Sequence, residues 1–465
     1  MTNKQGDSQK KVIVMGLGVS GLASLRLLQK QNIESVVISR GEPETWRELS
    51  QALAFISRER CYREEIINDR DVQDFKSQNY KTVLLSPGIP REHPLVQLLI
   101  EAEMEVLSEI EWAYRTLKNE GALSPIIAIT GSNGKTTTTT MIDFFMRKMG
   151  ISIFTGGNIG IPFSDYVTDY LSSRKKCDFF VLELSSFQLE STYYFRPDYA
   201  LLLNLTFTHG ERYHQISDYA RAKVRMLASA DAKTICYYDP SIAEYHHFLK
   251  DGEFTKRFID LKAIYQDTDL VSFFKFKLEH FKLMGKHNLA NLKFVDELFK
   301  DLNLDFHKLN TWLAEFKGVP YRVEKIENKK GLAIYNDSKS TNWDSTMTAV
   351  NAFKDHPGKL WLVIGGKKRG HGDSILPHLD FFKARCDKLL FFGEASVDLM
   401  RECEGKIDHL ASAFSLKDLL KPNLCDFSTS DVLLFSPAYP SFDQYKNYEE
   451  RGEDFNRIVQ SFDSE

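Results

Sequence analysis

The sequence lacks any feature that would tie it to a bilayer. Across 465 residues no uninterrupted apolar run approaches the ~18 residues that a membrane-crossing helix requires. The opening stretch MTNKQGDSQKK is polar and has no apolar segment of the secretory kind. Six cysteines (Cys61, Cys177, Cys236, Cys386, Cys403, Cys425) make no CxxC pair, which excludes a disulfide framework or a zinc ribbon. That usage fits reduced thiols, and a cytoplasmic location is expected. An excess of one charge is also missing. Lys and Arg number 60 against 64 Asp and Glu, a net of −4. Such a balance excludes a general nucleic-acid binder or a basic membrane-surface protein, though not a local charged cleft. No repeat of 20–50 residues is present, and the only biased tract is the threonine run 136–140.

What is there is an alternation of short apolar runs and longer amphipathic ones. Residues 12–15, 36–39 and 83–86 read as strands, with helices over 22–31 and 94–103. This is the rhythm of parallel βαβ units. Residues 116–125 (TLKNEGALSP) read as a linker. A second series has strands at 126–130, 179–184 and 200–204 and helices at 135–149, 288–299 and 306–316. Gly318-Val319-Pro320 then punctuates the chain, and strands at 332–337, 360–365, 388–392 and 432–435 form a third series. The expected fold is α/β, with three consecutive α/β domains and boundaries near 113 and 318.

The strongest chemical signal lies at the start of the second series. An apolar strand runs into Gly131-Ser132-Asn133-Gly134-Lys135-Thr136-Thr137 and then a helix. Glycines let backbone N–H groups approach phosphate oxygens, and a helix N-terminus adds positive potential. Lys135 would reach the β/γ-phosphates and the Thr136 hydroxyl would bind Mg²⁺. The strict GxxxxGK[ST] pattern fails because Ile occupies position 129, but the shorter GxxGKT loop is kept. Glu183, in the apolar run VLELSS, needs a cation as a buried carboxylate: either Mg²⁺ or a structural ion pair. His209 follows another strand, where loops build ligand sites in parallel sheets. Taken alone, it reads as an ordinary satisfied histidine. Lys223, taken alone, reads as an exposed helix lysine.

Near the N-terminus, Gly16-Leu17-Gly18-Val19-Ser20-Gly21 follows a strand and opens a helix, a Rossmann-like turn. The second strand ends Ile38-Ser39-Arg40 without the carboxylate a dinucleotide site wants, so NAD is disfavoured. The loop reads as a phosphate or diphosphate site, or as tight packing alone. Ser86-Pro87-Gly88 lies in a second strand-end turn that could close over the same ligand.

Together these motifs resemble the Mur ligases, and within them the MurD type, from Gly16 to Phe455. The anchors are GLGVSG (16–21), SPGIP (86–90), ITGSNGKTT (129–137), GGNIG (156–160), ELSSFQLE (183–190), GKHNLAN (285–291), NDSKSTN (336–342) and SPAYPSFDQYKNYEERG (436–452). The middle anchors also resemble folylpolyglutamate synthases, but those enzymes lack the N-terminal glycine-fingerprint domain. A non-catalytic relative is disfavoured by the intact Lys135, Thr136, Glu183, His209, Lys223 and Lys339. The resemblance implies a UDP-sugar-binding Rossmann-like domain (1–113), a central P-loop ATP-binding domain (114–318) and a Rossmann-like amino-acid-binding domain (319–465). It implies an ATP-dependent ligase of peptidoglycan precursor synthesis. ATP would phosphorylate UDP-N-acetylmuramoyl-L-alanine, and the D-glutamate amine would attack the acyl phosphate. The implied partners are these small molecules, without nucleic acid or membrane, and a monomer is expected.

Residue by residue, the resemblance gives Lys135, His209, Lys223 and Lys339 catalytic roles. It makes Thr136, Glu183, His209 and a carbamylated Lys223 ligands of two Mg²⁺ ions. Residues 131–137, Asn288, Asn291, Arg322 and Asp337 fall at ATP, with a helix N-cap as the other reading of Asn288. Gly16, Gly18, Val19, Ser20, Ser86, Pro87, Gly88, Asn158, Ser185 and Gln188 fall at the UDP-sugar. Thr341, Arg369, Ser441, Phe442 and Tyr448 fall at D-glutamate, with core packing as the other reading of Phe442 and Tyr448. The sequence also departs from the family. Thr208 stands where an acidic residue precedes the motif histidine, and Glu211 where an Asp is usual. Arg369 aligns with the lysine that binds the substrate carboxylate, with Lys368 the alternative. Ser39 replaces the Asp expected at the uridine end.

Overall fold

The computed structural model describes residues 11–46, 49–210, 212–240, 242–249, 252–266, 273–283, 285–328, 331–368, 374–407, 410–423 and 427–461. Three sheets follow one another along the chain. The first contains β1 (Lys11–Met15), β2 (Ser35–Ser39), β3 (Cys61–Arg63), β4 (Tyr80–Leu85) and β5 (Glu105–Leu107), in the order β3-β2-β1-β4-β5. All its pairings are parallel. The second contains β6 (Ile126–Thr130), β7 (Ile153–Gly157), β8 (Phe179–Glu183), β9 (Tyr199–Leu202), β10 (Ile235–Tyr238) and β11 (Thr255–Phe258). Its order is β11-β10-β9-β6-β8-β7, again all parallel. The third contains β12 (Glu324–Ile326), β13 (Ala333–Asn336), β14 (Leu360–Gly365), β15 (Lys388–Phe392), β16 (Leu410–Ala413) and β17 (Val432–Ala438). Its order is β12-β13-β17-β14-β15-β16, and it is mixed, because β12 runs antiparallel to β13.

The α/β expectation is met. The central strands read as unbroken apolar runs (IIAIT in β6, all five residues buried) because helices cover both faces of a parallel sheet. The chain divides into two compact units, Met1–Lys282 with Lys286–Phe316, and Leu283–Gly285 with Lys317–Glu465. The first unit holds the first two sheets and the second unit the third. The residues read as a linker begin inside a helix, Glu109–Asn119, which Ser108 caps by accepting from the Glu111 N–H at 3.2 Å. Its amphipathic face buries Ile110, Ala113, Tyr114 and Leu117. Among the described residues no helix is long and apolar enough to cross a membrane. The five described cysteines are buried free thiols.

The helix that follows β6, Lys135–Lys148, opens with five threonines, which are weak helix formers. Packing holds it instead. Phe145 lies 5.4 Å from the ring of Phe276 and 6.1 Å from that of Phe299. The loop that this helix terminates is therefore fixed from below by a buried aromatic cluster.

Two carboxylates of helix Glu109–Asn119 reach the second sheet's layer. Glu111, fully buried, accepts from the N–H groups of Tyr193 (3.0 Å), Tyr194 (2.9 Å) and Phe195 (2.9 Å), and from Arg115 Nε at 2.7 Å. Glu109 accepts from the Ser164 N–H at the start of helix Phe163–Ser173, but its Oε2 has no hydrogen-bond partner. Burial pushes the Glu109 carboxyl from 4.5 up to about 7. A folded pKa above the unfolded one means that the unfolded chain binds fewer protons between these values. Stability is then full below pH 4.5 and falls as pH rises towards 7. Glu109→Gln should remove this loss, making the variant the more stable protein at pH 8 by ~3 kcal/mol relative to the difference at low pH. Urea unfolding at pH 5 and pH 8 checks it; a wild-type–variant difference that does not change with pH would refute it.

Candidate active site

The phosphate loop leaves the carboxyl end of β6. The segment that follows its neighbour β9 pins it: Asn204 Oδ1 accepts from the Asn133 N–H at 2.8 Å, and Asn204 Nδ2 donates to the Asn133 carbonyl at 2.9 Å. Ser132 Oγ donates to the Thr206 carbonyl at 2.7 Å. Gly134 takes a left-handed φ of +81°, and a Cβ there would lie 2.2 Å from Asn291 Oδ1. Asn291 can therefore sit against the loop only because position 134 is glycine. Lys135 Nζ donates to the carbonyls of Gly131 and Ser132, each at 2.9 Å. Thr136 and Thr137 are buried.

Glu183 ends β8, beside β6, and is 1% exposed. Asn158 Nδ2 donates to its Oε1 at 2.9 Å, while Oε2 is buried with no hydrogen-bond partner. Gly157, with φ +101°, brings the 156–160 turn against the Glu183 carbonyl, where a Cβ would lie at 2.4 Å.

Lys223 corrects the reading of an exposed helix lysine. Helix Ile216–Val224 turns Tyr219, Ala220 and Lys223 inward, and Lys223 is 1% exposed. Its Nζ donates to the Gly131 carbonyl at 2.9 Å and lies 4.2 Å from the centre of the Tyr219 ring. Burial first, then the charge of Lys135, hold its ammonium well below the usual 10.5, with Glu183 opposing. An amine so placed is available in its neutral, nucleophilic form.

His209 has a left-handed φ of +62°, uncommon without glycine and a mark of functional sites. Its ring packs 4.8 Å from Phe187 and 6.2 Å from Tyr219. Thr208, where an acid is usual, donates from Oγ1 to the Tyr219 hydroxyl at 3.1 Å. Glu211 lies outside the described residues. Among the described residues no three His, Cys, Asp or Glu gather into a metal cluster. A cation here would need the Thr136 hydroxyl, ligand phosphates or a modified Lys223 to complete its shell.

The two turns of the first sheet do meet. Ser86 Oγ donates to the Gly16 carbonyl at 2.9 Å, and Gly16 (φ +88°) has no room for a Cβ against Ser86. Gly18, Val19 and Gly88 are exposed and Ser20 and Pro87 half-buried. Ser185 and Gln188 are engaged with each other as the capping box of the short helix Ser186–Leu189. Asn288 lies in the first turn of helix Lys286–Asp301, which begins two residues earlier, so it is not the N-cap.

Sequence reasoning missed Arg212. Its side chain is nearly buried, paired with Glu190 (Nε to Oε1, 3.0 Å) and 4.4 Å over the Phe187 ring. It also donates to the carbonyls of Pro87 (2.8 Å) and Ile89 (3.2 Å). One guanidinium thus ties the His209 loop to the 86–90 turn. A lone Arg in a loop gives no periodic signal; its closeness in sequence to His209 was the one signal available.

In the second unit, Asp337 follows β13 and is buried. It accepts from Ser436 Oγ (2.7 Å) and the Val323 N–H (3.2 Å). Burial pushes its carboxyl up to about 6, against those donors and the charge of Arg322. Arg322 stands between Tyr321 and Val323, both at positive φ. Lys339 Nζ is 5.5 Å from the centre of the Tyr448 ring. Thr341 is half-buried and Ser441 buried. Phe442 is 59% exposed, which corrects the core-packing alternative; Tyr448 is half-buried. Lys368 is ion-paired with Asp398, and Arg369 lies outside the described residues.

Comparison with known proteins agrees with these motifs. Residues 10–108 match the family "Mur ligase MurD-like, N-terminal domain", and residues 129–295 match "Mur ligase middle domain". The chain is 31% identical to the UDP-N-acetylmuramoylalanine--D-glutamate ligase of Caldicellulosiruptor bescii, over 97% of both chains. It is 31% identical to the enzyme of that name from Aquifex aeolicus, over 97% of this chain and 98% of that one. Among solved structures, it is similar to the MurF ligase of Thermotoga maritima in complex with ADP (TM-score 0.56, 16% identity, covering 98% of this chain and 96% of that one). It is also similar to the UDP-N-acetylmuramate-alanine ligase MurC of the same organism (TM-score 0.54, 17% identity, 97% and 99%). The fold, the motifs in order and the near-full-length identity agree: this chain belongs to the Mur ligase family, in its MurD-type branch.

Proposed function

We propose that the chain is an ATP-dependent, ADP-forming ligase that joins D-glutamate to UDP-N-acetylmuramoyl-L-alanine through an acyl phosphate, in peptidoglycan precursor synthesis. One observation carries the chemistry: Lys135, Lys223 and the unsatisfied Oε2 of Glu183 all lie at or beside the phosphate loop. Phosphoryl transfer asks a protein mainly for positioning and charge neutralisation. Loop N–H groups and Lys135 would hold the phosphates, and Asn288 and Asn291 the base, whose edges amide groups can match. Thr136, Glu183, His209 and a carbamylated Lys223 fit two Mg²⁺ ions, which would supply further neutralisation of the transferring group. Attack of the neutral Lys223 amine on CO₂ forms one N–C bond, moves one C=O π pair onto oxygen, releases one proton from nitrogen and turns a buried neutral amine into an anionic oxygen donor.

Under this reading residues 1–113 take the UDP-sugar, 114–318 take ATP and 319–465 take the amino acid. Gly16, Ser86 and Asn158 would face the first, Arg322 and Asp337 would serve ATP, and Lys339, Thr341, Ser441, Phe442 and Tyr448 would serve D-glutamate. We place the enzyme in the cytoplasm as a monomer acting on small molecules. The test is phosphate release from ATP with UDP-N-acetylmuramoyl-L-alanine while the amino acid is varied. Release with D-glutamate, and not with L-glutamate or D-alanine, is expected. The reverse pattern would overturn the substrate assignment, and ATP binding without turnover would favour a non-catalytic relative.

A further inference from the structure

Arg451 is among the largest fully buried side chains of the described residues, 0% exposed, and it forms no ion pair among them. It lies in the first turn of helix Tyr448–Ser461. Its Nε donates to Ser338 Oγ at 3.1 Å and its Nη2 to the Ser338 carbonyl at 2.7 Å. Its Nη1 donates to the Tyr439 carbonyl at 2.8 Å and reaches the Gly365 carbonyl at 3.5 Å. Ser338 Oγ in turn donates to the Tyr448 carbonyl at 2.8 Å, closing the cluster. All of these acceptors are neutral.

The three segments gripped leave β13, β14 and β17, which are neighbours in the sheet. Ser338 precedes Lys339, Gly365 stands two residues before Lys367, and Tyr439 stands two before Ser441. Gly366 has φ +134°, and a Cβ there would lie 2.9 Å from Arg451 Nη1 and 2.3 Å from the Pro440 carbonyl. The backbone has thus been cleared to let the guanidinium in. Burial disfavours the charge, which the nearby carboxylates of Asp443 and Asp337 support without a direct ion pair, and a plain packing role would be filled at lower cost by a methionine or leucine. A planar fork of five donors is suited to fixing several carbonyls at once.

We propose that Arg451 is the positioning residue of the amino-acid site. It locks the loops bearing Lys339, Lys367 and Ser441 in one arrangement around the place where the amino acid binds. The assignment of that site rests on the proposed function, but the locking of the loops does not.

The test uses Arg451→Lys, which keeps the charge but loses the fork, and Arg451→Met, which loses both, in the full chain. With ATP and the UDP-sugar saturating, the KM for D-glutamate should rise about twenty-fold in Arg451→Lys and further in Arg451→Met. The KM values for ATP and the UDP-sugar should stay within about two-fold, and kcat should fall less than the D-glutamate KM rises. In the ligand-free proteins, amide exchange of residues 338–340, 366–368, Tyr439, Ser441 and Phe442 should quicken about ten-fold, while that of 361–364 in β14 stays slow. A folded Arg451→Lys with the wild-type KM for D-glutamate and unchanged exchange would overturn the proposal. So would a uniform rise in all three KM values, the mark of a structural keystone alone. If the wild type itself shows no D-glutamate-dependent release, the substrate reading falls; the exchange measurement still decides whether Arg451 locks the loops.

Discussion

Lys135→Ala loses phosphate release by roughly 10³-fold or more, while its unfolding midpoint stays within about 5 °C of the wild type. Two of the lysine's hydrogen bonds go to carbonyls of its own loop. Each is worth about 1 kcal/mol, because water replaces it on removal. No core packing goes with it, since the aromatic cluster under the helix is formed by Phe145 and its neighbours. The catalytic loss is larger because a fixed cation in a partly dry loop stabilises charge that water cannot reach at the moment of transfer. The variant has a second effect. The Lys135 charge is one of the two causes depressing Lys223, so removing it lets Lys223 hold its proton to higher pH. Single-turnover phosphate release with circular dichroism melting measures both parts. A folded variant within tenfold of wild-type turnover would remove Lys135 from phosphate binding.

Lys223→Ala is expected to lose activity by a similar ~10³-fold, and added bicarbonate is expected not to restore it. The residue is buried against Gly131 and Tyr219, where no bulk water can take over an oxygen ligand's role. Stability should change far less. A buried side chain is lost, but so is the desolvation cost of a buried amine, and these terms oppose one another. In the wild type the sign with pH follows from the direction of the shift. The amine is lowered by burial and by Lys135, so its neutral form is present well below 10.5. Activity should therefore rise with pH as Lys223 sheds its proton, and CO₂ depletion of the assay buffer should lower it. Turnover that ignores CO₂, or a fully active Lys223→Ala, would end the carbamate reading.

Much of this site was legible before any coordinates. Strands β6, β14 and β15 lie where apolar runs bounded by turn residues put them, because a strand covered on both faces needs apolar side chains throughout. The phosphate loop was legible for the same local reason: strand, glycines, Lys-Thr and helix are contiguous. What the sequence hid was non-local. Lys223 carries no mark of burial, because the helix face that turns inward is decided by Tyr219 and Ala220 packing elsewhere. Short edge strands such as β3, β5 and β12 have only three residues each, too few to show a period. Arg212 and Arg451 act through main-chain carbonyls of distant loops, and a carbonyl has no signature in a sequence.

That last property of Arg212 bears on how such enzymes can be recombined. The residue holds the 86–90 turn by the carbonyls of Pro87 and Ile89, not by side chains that a partner segment would have to match. A graft of the first hundred-odd residues from another member of the family would meet the same two acceptors wherever the turn keeps its backbone shape. At this turn the seam is therefore a tolerant one for building chimeras, with Arg212 and Glu190 as the pair that must travel together on the receiving side, whereas the Arg26–Asp165 pair elsewhere along it has to be matched on both sides.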